Sequence, residues 1–432
     1  MQSKRAISDL SIHSQGEALK ATINQPMRSF YNSGWIGERT KFLLTESSAA
    51  KRPIALLDSH MIGSAPRARF AFDVKGRVRE YAVLVAPLLT LHILVLLVQR
   101  GIGFEKYATF GDGQEYINLA KSLTTDTIGV IVNLHPPIYP LAIRIVSAVS
   151  SYGSASLLVN AFAQTLTVIP IYETIKLTMP SNQRKLALML SVFPPATLTY
   201  AAVGLSDALT ILFSSIFFYS LVKRNESGLI VSAISAELTH QVAYLLVVPL
   251  AFFYLKTNPR KIYRICAVAM PFALLSLYMY FTSHDVTYYI TSHFVFSRTY
   301  WDYPLFSVPF KSLVEAAMGS PIRAGGVSYP VNPISIVEVV FLWFTYLGGM
   351  ILSWRNRHVA SVAYGMPFLI LLMFYQVWFF VPRFLAYCFP LLISYGHLIE
   401  KRPAMLFLAV ALSVAGLVSS LYVIIYALLP TH

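Results

Sequence analysis

The stretch PPIYPLAIRIVSAVSS, residues 136–151, decides the fold, because its status sets the side of a membrane on which every later loop falls. It is apolar, but it is short, opens on two prolines and contains Arg144. If it crosses the bilayer, Lys176, Arg184, Lys185, Lys223 and Arg224 fall outside. If it lies in the interface, they fall inside with Lys256, Arg260, Lys261, Arg355, Arg357, Lys401 and Arg402. The second arrangement gathers 26 of the 34 Lys and Arg on one face. Basic residues favour the cytosolic side, so the interfacial placement is preferred.

Composition requires the bilayer in the first place. The chain has 432 residues, 56% of them hydrophobic and only 12% charged, with a mean hydropathy of +0.59. Soluble domains carry roughly a quarter charged residues. The first span is YAVLVAPLLTLHILVLLVQ, residues 81–99, whose helical length of roughly 29 Å matches a hydrocarbon core. Further apolar segments follow near 155–175, 185–202, 207–222, 228–238, 241–255, 263–282, 331–352, 358–380, 382–399 and 404–428. The expected fold is therefore an all-α polytopic membrane protein of about eleven spans, with the N-terminus inside and the C-terminus outside.

Residues 1–80 hold thirteen of the 34 basic residues but also seven acids. Without a lasting hydrophobic period, they are expected to form a largely disordered cytosolic extension near anionic lipid. No basic run is interleaved with aromatics, which argues against nucleic-acid binding. The polar opening lacks the apolar core of a signal peptide. Cys266 and Cys388 make no metal or redox motif. Residues 81–400 are expected to form the transmembrane catalytic domain, and 401–432 the last helix and C-terminus.

Two long outer segments, 100–154 and 283–330, are the natural carriers of function. The first contains FGDGQEYINLAKSL, residues 110–123, in which Asp112 stands between two glycines and Glu115 follows. Glycines permit unusual dihedrals and a close approach of ligand to backbone. Asp112 can simply cap a helix from Gln114, or it can accept a proton from an acceptor hydroxyl. Asp207, in GLSDALTILF, emerges on the same outer face and has the same two readings. His240, in ELTHQVAY, sits at the break between two half-length segments; a lone His is often structural. Arg383, in VPRFLAYCFPLLI, either snorkels or grips a phosphate. Arg298, Trp301 and Asp302, in FSRTYWDYPLFSVPF, either line a sugar cleft or belong to an aromatic belt. Glu237 and Glu338 lie near or within spans and take no role here.

The order of these motifs resembles the glycosyltransferase C superfamily, and within it PIG-V-like mannosyltransferases, relatives of GPI mannosyltransferase II. The motifs are an outer-loop acid with PPIYP, then FPPATLTYAAVGLSDAL, a basic turn and a late Arg before FP. The resemblance covers about residues 81–400. It implies transfer of a sugar, typically mannose, from a polyprenyl or dolichyl phosphate to a hydroxyl of a glycolipid or glycan at the outer or lumenal face. The membrane would be a prokaryotic plasma membrane or an endoplasmic reticulum. Catalytic roles fall on Asp112 and Asp207, and donor-phosphate binding on Arg383, His240 and Arg298. Glu115, His135, Tyr139, Trp301 and Asp302 are expected to bind substrate. The sequence departs from the family at Gly111, where a Trp is usual, at Asp207, often a Glu, and at His240. No cofactor is certain and a divalent metal ion stays open, since the superfamily contains members with and without one. The competing classes are a transporter or lipid flippase, which predicts paired repeats, and a scaffold acting through the tail.

Overall fold

The computed structural model describes residues 74–109, 111–122, 135–181, 184, 187–188, 202–284, 304, 306–320, 322–324, 327–329, 333–375, 381–396 and 398. The chain divides into two units, Met1–Phe72 and Asp73–His432, and all the described residues lie in the second. Of the extension expected over 1–80, residues 1–73 lie outside them, whereas 74–80 are helical and begin the first long helix; the expected last span at 404–428 also lies outside.

The architecture is α-helical, as the composition predicts, apart from one short hairpin. Helix α1 spans Val74–Ile102, followed by short helices α2, Phe104–Ala108, and α3, Gly113–Ser122. The deciding segment forms α4, Ile138–Val146. Its nine residues extend only about 14 Å, half a hydrocarbon core. Among its described residues, the 100–154 segment thus holds three short helices. Long helix α5 spans Tyr152–Thr178. By length and composition, Arg77–Gly101 and Tyr152–Thr178 qualify as membrane-crossing among the described residues. Helices α6, Asp207–Lys223, and α7, Glu226–Glu237, form a hairpin about Arg224, whose left-handed φ of 59° ends α6. A 3-10 turn over Gln241–Leu246 leads into α8, Val247–Thr257, and a second over Pro259–Arg264 into α9, Ile265–Ser283.

The 283–330 segment contributes α10, Lys311–Ala317, and one feature absent from the sequence expectation, an antiparallel hairpin of β1, Ile322–Ala324, and β2, Val327–Tyr329. Helices α11, Pro333–Arg355, and α12, Val359–Phe374, follow. The span expected at 382–399 is not one helix. It breaks into α13, Val381–Leu385, a 3-10 turn at Ala386–Cys388, and α14, Pro390–Ile393. Pro390 has no N–H to donate to the turn before it, which interrupts the helical ladder. Nearly every side chain from Val381 to Ser394 is buried, so this broken segment threads the centre of the bundle.

Polar contacts fix the direction of the helices. Tyr172 donates to Glu80 at 2.6 Å and Tyr81 to Glu173 at 2.9 Å, so the start of α1 lies by the end of α5. Lys261 meets Glu226 at 2.9 Å, placing the end of α8 beside the start of α7. Lys176, Lys223, Arg224, Lys256 and Lys261 therefore sit at helix ends remote from Asp207, which opens α6, and from His240, which follows α7.

Candidate active site

The non-helical run 202–206 delivers Asp207 to its place, and buried amides hold that run. Asn160 on α5 donates to the carbonyls of Val203 and Leu205, and Gln99 on α1 donates to that of Ala202. The N–H of Gly204 donates to Tyr107 at 3.1 Å, joining the run to α2. A Cβ on Gly204 would lie 2.1 Å from the carbonyl oxygen of Ala108, and one on Gly113 would meet the same oxygen at 2.1 Å. Both glycines are thus required by three-way backbone contact. The flanking glycines of Asp112 differ in purpose: Gly111 adopts φ +54°, whereas Gly113 is approached by protein backbone, where a ligand had been expected.

Between them Asp112 is turned toward Arg383. The guanidinium Nη1 lies 3.7 Å from Asp112 Oδ2, while Nε donates to both Asp207 oxygens, at 2.8 and 2.9 Å. Tyr387 donates to Asp207 Oδ1 at 2.9 Å. The two acids differ sharply in access. The Asp207 side chain is 1% exposed and Arg383 6%, whereas Asp112 is 39% exposed. Asp207 is the first residue of α6, with Ser206 at the cap, so the capping alternative is not its arrangement. Asp207, expected to be catalytic, has its carboxylate enclosed by Arg383 and Tyr387.

His240 completes the cluster. Its Nδ1 accepts the backbone N–H of Val242 at 3.1 Å, and its Nε2 lies 3.4 Å from Arg383 Nη2. Burial pushes its imidazole down to about 3, outweighing the opposing pull of Asp207. A neutral ring whose Nδ1 accepts must carry its proton on Nε2. Two donors, the Nε2–H of His240 and the Nη2–H of Arg383, therefore face one another. The contact is not a hydrogen bond in itself; an oxygen accepting from both would satisfy it. This arrangement of tautomer and neighbour has no signature in the sequence.

The other expected residues fall in two groups. His135 Nε2 lies 2.6 Å from Glu115 Oε2, and the half-exposed Glu115 faces outward from α3. The ring of Tyr116 rests on His135 at 4.5 Å, and its hydroxyl bonds Ser206 Oγ at 2.9 Å. Tyr116 thus ties α3 to the cap of α6, a role that nothing in the sequence marks. Tyr139 departs from its expected substrate role: it is fully buried, edge-on to Tyr116 at 5.0 Å, with its hydroxyl 3.4 Å from the Ser156 carbonyl. Arg298, Trp301 and Asp302 lie outside the described residues. The segment after them reaches the site's surroundings, since Ser307 donates to the Phe374 carbonyl at 2.8 Å and Tyr375 packs on Phe384 at 5.2 Å. Among the described residues, no group of three or more His, Cys, Asp or Glu is placed to hold a metal ion.

No protein-family model and no curated protein matches this chain. Among solved structures, it is similar to ArnT from Cupriavidus metallidurans bound to undecaprenyl phosphate, at 10% identity over 74% of this chain, with a TM-score of 0.48. It is also similar to the Archaeoglobus fulgidus oligosaccharyltransferase tethered with an acceptor peptide, at 10% identity over 78% of this chain, with a TM-score of 0.38. The chain spans 60% of the length of the first and 55% of the second.

Proposed function

We propose that the chain is an inverting membrane glycosyltransferase that moves a sugar from a polyprenyl phosphate to a hydroxyl of a glycolipid or glycan. Mannose and a dolichyl-type carrier are the specific choices, on the strength of the motif resemblance. One observation carries the reading. A single guanidinium stands 3.7 Å from a half-exposed carboxylate, Asp112, on one nitrogen and faces a second N–H donor, His240, on another. A base and an anion cradle thus stand side by side.

In this mechanism the acceptor hydroxyl gives its proton to Asp112 as its oxygen forms a bond to the anomeric carbon. The bond from that carbon to the phosphate oxygen breaks, and the electron pair leaves with the phosphate. One displacement inverts the anomeric configuration and needs no enzyme nucleophile. Arg383 and the Nε2–H of His240 stabilise the charge that develops on the leaving phosphate. Asp207 is a positioning residue: with Tyr387 it fixes the guanidinium, consistent with its enclosure. Glu115 and His135 border the acceptor side. The remote basic helix ends face the cytosol, which puts the N-terminus inside and the site at the outer or lumenal face.

The test is transfer by the purified full chain in proteoliposomes, using radiolabelled dolichyl-phosphate mannose and a panel of glycolipid acceptors. The expected result is a labelled, anomerically inverted product. Folded protein that transfers no label to any acceptor, and none from other polyprenyl-phosphate sugars, would contradict it.

A further inference from the structure

A cavity of about 420 Å³ opens between the start of α4, the end of α7 and the middle of α9. Its walls include Pro136, Pro137, Tyr244, Met270 and Leu274, and also one acid, Glu237. Glu237 is fully buried, and neither carboxyl oxygen has a hydrogen-bond partner. An unpaired buried carboxyl is costly, so its presence in an otherwise apolar wall calls for a ligand that brings a donor. Met270 and Leu274 are more than half exposed on the outer side of α9, which leaves the cavity open to the lipid phase in a membrane-embedded chain.

The cavity is continuous in sequence with the active site on two sides. Pro136 follows His135, whose ring meets Glu115, and Glu237 precedes His240 by three residues at the same end of α7. The N–H of Ile138 donates to the Leu238 carbonyl at 2.9 Å, holding the two walls together. A polyprenyl tail is pure hydrocarbon and would leave Glu237 unpaired. An acceptor lipid, by contrast, is both apolar in body and hydroxylated at its head, and the volume is in the range of ligand pockets. We propose that this cavity seats the acceptor lipid, with a hydroxyl other than the reacting one donating to Glu237. The inference rests on the glycosyltransferase reading only for the word acceptor; binding itself needs no turnover.

The test is equilibrium binding to the full chain in nanodiscs of three tritiated probes: monooleoylglycerol, oleylamine and a polyprenyl phosphate. Monooleoylglycerol is expected to bind about ten-fold more weakly to Glu237→Leu and less so to Glu237→Gln, which keeps one acceptor oxygen. Polyprenyl phosphate binding is expected to stay unchanged in both. Should Glu237→Leu fail to fold, Leu274→Trp fills the cavity from its open side and must weaken monooleoylglycerol alone. Unaltered monooleoylglycerol binding in every variant, an equal loss of polyprenyl phosphate, or an effect confined to oleylamine would each overturn the proposal. Because the readout is binding, these outcomes are separable from a failure of sugar transfer.

Discussion

The Nε of Arg383 lies 2.8 and 2.9 Å from the two carboxylate oxygens of Asp207, a contact closed across 176 residues of sequence. Both side chains are almost wholly enclosed, so the pair joins the start of α6 to the broken segment that threads the bundle. A buried ion pair is weak evidence for stability as such, because desolvation offsets much of the attraction. Here its consequence is geometric: with Nε engaged, Nη1 and Nη2 are left to face Asp112 and His240.

Removing one partner of that pair strands the other. Asp207→Asn is expected to destabilise the protein by about 3–5 kcal/mol, read as a lower midpoint in denaturant or thermal unfolding in detergent. Polyprenyl phosphate binding should weaken with it, since the guanidinium loses its mount.

Tyr387→Phe isolates a smaller contribution. It deletes one hydrogen bond to a charged acceptor, about 1.5–3 kcal/mol, while leaving Asp207 on Arg383. The expected outcome is an unfolding midpoint lowered by a few degrees with transfer largely retained in the folded fraction.

The His240 imidazole titrates at about 3 in the folded protein because it is buried, against roughly 6.5 when unfolded. Between those values the unfolded chain binds the extra proton, so stability rises with pH there. The favourable contribution is complete above about 6.5 and is lost progressively as pH falls toward 3. Unfolding of wild type and His240→Gln across that window checks it: the wild-type slope should exceed the variant's.

Gly113→Ala tests the backbone clamp. A Cβ there would stand 2.1 Å from the Ala108 oxygen and 3.1 Å from that of Gly204, so the loop carrying Asp112 must move. A displacement of about 1 Å can cost on the order of 100-fold in rate. Turnover is expected to fall by that order, with polyprenyl phosphate affinity, held by Arg383 and His240, changed far less.

Much of this architecture is legible in the residues, because long apolar runs and the sidedness of Lys and Arg are local signals. The shortness of α4 is written in PPIYP and Arg144. The break at Ala386–Cys388 is not legible in 382–399, a largely apolar run in which Pro390 alone marks the interruption. Asp112, Asp207, His240 and Arg383 each stand out in the sequence, yet their division of labour depends on burial and on which nitrogen faces which oxygen. Those are long-range facts. Tyr139 shows the reverse error: an aromatic in a promising motif, spent on packing against Tyr116. Tyr387 gave no cue at all, as one of 26 tyrosines.

The most direct measurement is the rate of sugar transfer by Asp112→Asn in reconstituted membranes, alongside its unfolding midpoint. Its carboxylate is 39% exposed and 3.7 Å from Arg383, beyond hydrogen-bond range, so the fold does not depend on it. The account predicts a fall of about 100- to 10,000-fold in turnover with an unchanged midpoint and intact polyprenyl phosphate binding. Near wild-type turnover in that variant would contradict it.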